Sequence, residues 1–357
     1  MERKELLKQL TGAFGPSGYE AEVAAIMKRA LAVRCTVQQD KLGSVVGEIK
    51  GRNDSPKIMF AAHMDEIGFV VESVTKGGFI KFLPIGGWWE GVLPSQRVLV
   101  RTRTRDVVGV IGSKPPHDLK EDERKKIQEW KSLYIDVGVT KDYEVKEKLG
   151  IRPGDPIVPI GEFTALENSL YLAKAWDDRV GCGLLVEAAE RIAAGSSAGS
   201  NPNTVYLAGT TQEEVGLRGA KTAAALVNPD VAFAVDVSTA KDTPGEDGDS
   251  DERLKNGVAI LVYDLSMIPS IKLRDFVIDL AEKHKVTYHL ASVRGGYDTG
   301  RIHLHSIGVP SLALGIPTRY IHSHNGIIAE SDYENTLRLI TLIAENLTGD
   351  VLNEILK

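Results

Sequence analysis

Apolar residues in this chain fall into short blocks whose spacing changes twice along its length. Residues 1–32 carry helical spacing, with Ser17 as a candidate cap, Glu20 three positions later and unbroken apolar periodicity over 21–33. The block 45–49 predicts a strand, 51–57 a polar turn, and 57–62 a second strand that delivers His63, Met64, Asp65 and Glu66 at its end. From about 70 to 160 the runs are shorter and β-branched, at 69–74, 79–83, 97–100 and 107–111, with glycines and prolines between them. One charged segment there, 119–130, predicts a helix. Trp88 and Trp89, beside two glycines, read either as anchors of a small core or as part of an interface. Past 165 the pattern alternates: helix 180–194, a loose run 195–200, strand 204–209, helix 220–226 and strand 231–235 ending at Asp236. A Gly- and Pro-containing acidic loop at 241–253 leads to strand 258–261, helix 271–284, strand 311–314 and helix 333–345.

Strands alternating with helices predict an α/β fold, a central mainly parallel or mixed sheet with helices on both faces. The β-rich segment 70–163 then reads as an insertion into a discontinuous larger unit, 1–69 with 164–357, and its two ends are expected side by side.

Composition removes several function classes. The 357 residues are 43% hydrophobic and 26% charged, which is ordinary for a globular protein with a sizeable core. A net charge of −6 supplies no basic field for a phosphate backbone, so no nucleic-acid partner is expected. Cys35 and Cys182 are too few for a disulfide framework, and no apolar run reaches the roughly 18 residues of a membrane helix. The charged amino terminus lacks an apolar signal core, and the expected location is the cytoplasm.

The polar residues that interrupt the strand ends change the picture most. Glu213 and Glu214 follow strand 204–209, and neighbouring side chains on an extended segment point different ways, so one can hold a cation while the other handles a proton. A solvated strand end is the plain alternative. Asp177 and Asp178 precede a helix and could equally cap it. His63 and Asp65 are two apart, so one can ligate while the other works behind it. An unpaired carboxylate at Asp236 would be costly to bury, so it reaches the surface or meets a cation. With His322, these residues offer two imidazoles and several carboxylates, a donor set suited to two divalent ions sharing one carboxylate. A water held between such ions becomes a strong nucleophile once a nearby base takes its proton.

Five ordered motifs carry a resemblance: His63-Met64-Asp65-Glu66-Ile67-Gly68, Asp177-Asp178-Arg179-Val180-Gly181, Gln212-Glu213-Glu214-Val215-Gly216, Asp236-Val237-Ser238 and Arg319-Tyr320-Ile321-His322-Ser323. They resemble the dinuclear metallo-aminopeptidases of the glutamyl and deblocking aminopeptidase family, which form tetrahedral dodecamers. The likeness runs nearly end to end and includes Gly112-Ser113-Lys114-Pro115-Pro116-His117.

The resemblance implies His63, Asp177, Glu214, Asp236 and His322 as metal ligands, with Asp177 bridging and joined to Asp178 by a cis peptide. It implies Glu213 as general base, Asp65 behind the His63 ring, and the pairings Glu214 with His63 and Asp236 with His322. The implied cofactors are two divalent ions, zinc or cobalt; the implied substrates are short peptides with a free amino terminus. The implied assembly is a homododecamer built from dimers through the inserted domain.

Two departures stand out. His324, Asn325 and Gly326 follow His322 where members often carry a proline and then a glutamate, so His324 is an alternative ligand, a substrate contact or a loop residue. The acidic loop 246–252 either favours basic peptide termini or keeps the surface soluble. Gly295 and Gly296 resemble a substrate-side loop that lets backbone approach closely. The competing functions are a related dinuclear amidohydrolase, such as a deacylase or carboxypeptidase, and an inactive peptide-binding scaffold. The preferred first side chain, the native metal and the physiological peptides are not legible at this stage.

Overall fold

The computed structural model describes residues 2–195, 201–246 and 250–357. Most of the loose run 195–200 and the middle of the acidic loop 246–252 lie outside them.

An eleven-stranded mixed sheet forms the larger layer. Its centre is parallel, with Thr204–Thr210, Lys57–His63, Val231–Thr239 and Ser311–Arg319 side by side. Antiparallel strands flank it, Val45–Ile49 on one side and Gly326–Ala329 on the other. A branch leaves Ser311–Arg319 through Val258–Tyr263 and ends in Tyr288–Ser292, which pairs with no other strand among the described residues.

Burial on both faces explains the unbroken apolar runs of the central strands. Along Lys57–His63, Ile58, Phe60 and Ala62 face one core while Met59 and Ala61 face the other. The first core is covered by the helices Trp176–Gly195, Glu330–Asn346, Arg3–Gly12 and Ala21–Leu31, and the second by Arg218–Val227 and the short turn Thr299–Ile302. Phe60 and Phe233, register partners on neighbouring strands, stack at 5.1 Å. Each buried aromatic of this kind contributes about 1.5–3 kcal/mol of hydrophobic stabilisation.

The inserted segment forms a closed barrel of six strands, from Gly68–Val74 to Pro156–Pro159, filled by Phe69, Phe82, Val100, Ile135 and their neighbours. Alternation along Asp106–Gly112 sends every second side chain inward. Phe69 pairs with Ile157 and Val70 with Pro156, so the chain enters and leaves the barrel on adjacent strands. Trp88 stacks on Phe69 at 4.7 Å and anchors the barrel core, while Trp89 is exposed.

Several elements differ from expectation. The helix expected at 119–130 is a single turn, Glu121–Arg124, because its charged residues offer no apolar face to bury. The helical stretch expected over 1–32 breaks between Gly12 and Ala21, where Arg179 takes the carbonyls of Leu10, Ala13 and Gly15. Ser17 caps nothing; its hydroxyl donates to Asp65 at 2.6 Å. The strand holding Asp236 continues to Thr239, since Asp236–Thr239 keep their pairing with Gly315–Thr318.

Candidate metal centre

The carboxyl ends of the four parallel strands meet in one cleft, the usual location of sites in open α/β sheets. His63 closes its strand, and its Nδ1–H donates to the carbonyl oxygen of Asp65 at 3.1 Å. A carbonyl only accepts, so the neutral ring must present a bare Nε2 lone pair. That Nε2 faces Asp177 Oδ1 at 2.8 Å.

Asp177 and Asp178 are joined by a cis peptide, as the resemblance implies. Their carboxylates serve different partners. Asp178 accepts the amide hydrogens of His63 at 3.0 Å and Gly181 at 2.9 Å, tying the strand end to the helix that follows. Asp177 is left for the cleft: its Oδ1 meets His63, and its Oδ2 lies 3.2 Å from His322 Nε2. One carboxylate thus spans two imidazoles, the arrangement a bridging ligand requires.

His322 sits in a tight turn beyond Ser311–Arg319, with φ of 61° at Tyr320 and 57° at His322 itself. Arg319 steadies the start of this turn through two contacts of 2.6 and 2.7 Å with Asp242. Glu213 and Glu214 lie in the loop after Thr204–Thr210, and Asp65 accepts their amide hydrogens at 2.9 and 3.1 Å. Glu214 Oε1 stands 3.2 Å from His322 Nε2, while Asp236 Oδ2 and Glu213 Oε2 each stand 4.0 Å from His63 Nε2.

The shortest contacts therefore cross the expected pairing: Glu214 belongs beside His322, and Asp236 beside His63. Donor atoms of His63, Asp177 and Glu214 also fall within 4.8 Å of one another, as do those of His63, Asp178 and Asp236, so the two halves share a wall. Asp178 is already committed to backbone amides.

The electrostatics call for cations. Burial pushes Glu213 and Asp236 well above the usual carboxylate range, and burial with the charge of Asp177 raises Glu214. Burial also opposes charge on Asp177, yet its contacts with His322 and His63 prevail and hold it low. Burial opposes charge on His322 too, but Asp177 and Glu214 outweigh it and push the ring up to about 11. Buried acids that resist ionising beside imidazoles that resist deprotonation are a set missing positive charge. Glu214 Oε1 is buried and its contact with His322 lies outside hydrogen-bond geometry. The nitrogen and oxygen donors fit two divalent ions.

The cleft in front of these groups holds about 940 Å³ and is lined by His63, Asp177, Glu213, Asp236, Gly296 and Tyr297 among others. Tyr297 fixes the glycine-rich wall by donating to the carbonyl of Val237 at 2.9 Å. The barrel contributes as well. A Cβ on Gly86 would come within 3.2 Å of Glu214 Oε2, and one on Gly87 within 3.3 Å of His322 Nδ1, so bare backbone closes that side. His324 joins neither ligand group; its ring lies against Trp88 at 5.4 Å.

Reading the sequence missed a buried triad under the site. Lys174 Nζ lies 2.6 Å from both oxygens of Glu66, and Arg179 Nη2 lies 3.3 Å from one of them. A lysine flanked by Ala173 and Ala175 at the end of a strand-forming run was the available signal. Asp298, buried and accepting from the Thr210 hydroxyl, was also passed over.

No helix of the described residues is long and apolar enough to cross a membrane. The profile of the M42 glutamyl aminopeptidase family matches residues 43–339. A TET aminopeptidase from a marine sediment archaeon, Thaumarchaeota archaeon SCGC AB-539-E09, is 44% identical, with a TM-score of 0.95 over 99% of both chains. The glutamyl aminopeptidase of Lactococcus lactis is 35% identical over 99% of both chains. The TET1 peptidase of Pyrococcus horikoshii, which can assemble into a tetrahedron or a large octahedral shell, is 31% identical with a TM-score of 0.86. That match covers 97% of this chain and 100% of the other.

Proposed function

The chain belongs to the M42 glutamyl aminopeptidase family, and on that footing we propose that it removes the first residue of short peptides with Glu213 as the proton-transfer base. It is a metal-dependent hydrolase with a dinuclear site. In our assignment His63 and Asp236 would hold one ion and His322 and Glu214 the other, with Asp177 available to both. Zinc or cobalt suits this donor set. When bound, the two cations supply charge that polarises the scissile carbonyl and makes water more acidic.

The remaining work falls to the chain itself. Glu213, next to a ligand yet 4.0 Å from His63 Nε2, is free to take the proton of the attacking water. It then returns that proton to the leaving amine. Burial, which raises its proton affinity, suits a base that must also act as an acid. Asp65 holds the amides of both glutamates and so sets where their carboxylates reach. The cleft admits an extended peptide end, and the glycine-rich wall at Gly295 and Gly296 lets its backbone approach closely. Assembly into a homododecamer built from dimers, through the segment 70–163, accords with the shells formed by the TET1 peptidase. A cytoplasmic location accords with the same reading.

The observation carrying this proposal is the Asp177 carboxylate with an imidazole at each oxygen and a second acid beside each imidazole. The test is release of the first residue from paired free and N-acetylated peptides with acidic, basic and apolar first side chains. Each is run with metal-stripped protein and again with zinc or cobalt restored. Metal-dependent release from the free peptides alone is expected; cleavage of acetylated peptides would replace this reading with a deacylase.

A further inference from the structure

A second cavity of about 660 Å³ opens beside the metal centre. Its lining joins Trp88, Trp89 and Gln96 of the inserted segment to Ile321, His324 and Asn325 of the turn carrying His322. The cavity shares Gly87, Tyr320, Ile321 and His322 with the cleft, so the two spaces adjoin along that turn. Their chemistry differs. Lys241, Glu246 and Arg294 line the cleft together with the acidic candidate ligands, whereas no acid, lysine or arginine is among the described residues lining the second cavity. A charged group entering it would give up water without meeting a counter-charge, and an uncharged ring would not.

The aromatic surface is held in place. Trp88 donates its indole N–H to the Gly68 carbonyl at 3.0 Å and stacks on Phe69 at 4.7 Å. His324, only 2% exposed, lies beside the Trp88 ring at 5.4 Å. Trp89 is 59% exposed, yet its ring lies over the bare backbone of Gly91, where a Cβ would come within 2.6 Å of it. The turn is tied down as well. Ser323 Oγ lies 2.8 Å from the carbonyl oxygen of Tyr320 and 2.7 Å from that of Asn325, and a Cβ on Gly161 would overlap the His324 carbonyl. Large aromatic side chains fixed beside an open space present ready stacking faces, and such residues dominate binding where they become covered.

We propose that this cavity takes an uncharged aromatic side chain from the second residue of the substrate peptide, on the leaving side of the scissile bond. The inference rests on the aminopeptidase reading above and adds a preference to it. Reach supports this occupant. His322 lines both spaces, and consecutive Cα atoms are about 3.8 Å apart, so a peptide whose first carbonyl lies at His322 carries its next side chain to the border of the cavity. The first side chain stays in the cleft, against the wall at Gly295 and Gly296. Gln96 and Asn325 bring carboxamides that can bond a phenolic hydroxyl, so tyrosine is accommodated along with phenylalanine.

The test uses the full chain loaded with zinc or cobalt and dipeptides with alanine first and glycine, phenylalanine, tyrosine or glutamate second. Phe-Ala and Glu-Ala, the reversed sequences, control for position. For Ala-Phe and Ala-Tyr, kcat/KM is expected to exceed that for Ala-Gly by about tenfold or more, as partial burial of a ring gives. Trp89→Ala is expected to bring the ratio of Ala-Phe to Ala-Gly close to one. Because a lost ring can also disturb the barrel, a second variant, Gln96→Lys, adds a cation to the lining instead. It is expected to raise Ala-Glu relative to Ala-Gly. Equal rates for all second residues, or ratios that neither variant moves, overturn the subsite while leaving the aminopeptidase reading in place. A Gln96→Lys variant that favours Glu-Ala rather than Ala-Glu gives the cavity to the first side chain and overturns the proposal in the same way. No release from any dipeptide by the metal-loaded chain overturns the aminopeptidase reading and this subsite with it.

Discussion

The Glu213 amide nitrogen lies 2.9 Å from Asp65 Oδ1, so the loop bearing Glu213, the base we propose, hangs from the segment that follows His63. The same carboxylate takes the Glu214 amide and the Ser17 hydroxyl, and burial would disfavour its charge were these donors and His63 not holding it low. Asp65→Asn puts an amide donor against one of these groups. Activity or metal affinity should fall about 10- to 100-fold, as for partners that orient ligands. Unchanged kcat with two ions per chain would refute the role.

Glu213→Gln removes the proton acceptor but keeps size and polarity. We expect kcat to fall by about 10²- to 10⁴-fold, the usual contribution of a positioned acid or base. Elemental analysis should still find two ions per chain. Loss of metal would instead make Glu213 a ligand.

The crossed pairing makes a sharper statement. His322→Ala and Glu214→Ala should weaken the same binding event in a metal titration, and His63→Ala and Asp236→Ala the other. Asp177→Ala should weaken both. If Glu214→Ala and His63→Ala affected one event together, the contact distances would have misled.

Metal uptake should depend on pH with a defined sign. With His322 pushed up to about 11 by Asp177 and Glu214 against the pull of burial, the metal-free ring keeps its proton through neutrality. Its contribution to metal-free stability is full below the ordinary histidine value of 6.5 and is lost as pH rises toward 11. A cation must displace that proton, so affinity weakens about tenfold per pH unit of acidification for each proton released. Titration calorimetry in buffers of different ionisation enthalpy should show the release; heats independent of buffer would contradict it.

Under the site, Lys174→Met leaves the buried Glu66 with only the longer contact to Arg179. Breaking a buried pair by one partner costs about 3–5 kcal/mol. Denaturant unfolding should show a loss of this order, and Glu66→Leu added to Lys174→Met should recover part of it. A loss below 1 kcal/mol, about the worth of an exposed pair, would mean that solvent reaches the lysine.

Much of this was open to reading because function here sits at strand ends. His63, the Glu213 and Glu214 pair, and Asp236 each interrupt or follow a long apolar run, and such runs are legible from residue type alone. The alternation of strands and helices likewise foretold the mixed sheet, and the β-rich stretch foretold the barrel. Contacts set by the third dimension were not legible. Ser17 has the local signature of a cap, yet it is spent on Asp65, far along the chain. The contacts among the candidate ligands depend on where the loops beyond the strand ends carry Glu214 and His322, and sequence order does not reveal that. Tyr288–Ser292 was missed because it is short and lies beyond a helix in a charged neighbourhood. Lys174 carries no local mark of its partner, because Glu66 is distant in the chain and meets it only in the fold.

The barrel meets the rest of the chain in two ways that pull apart. At Phe69 and Ile157 its entering and leaving strands are adjacent, so an engineer could excise it and rejoin the chain with a short linker. Gly86 and Gly87, however, press bare backbone against Glu214 and His322. The shortened protein would close cleanly at the seam and still lose one wall of its reaction chamber, leaving half of the ligand set open to water.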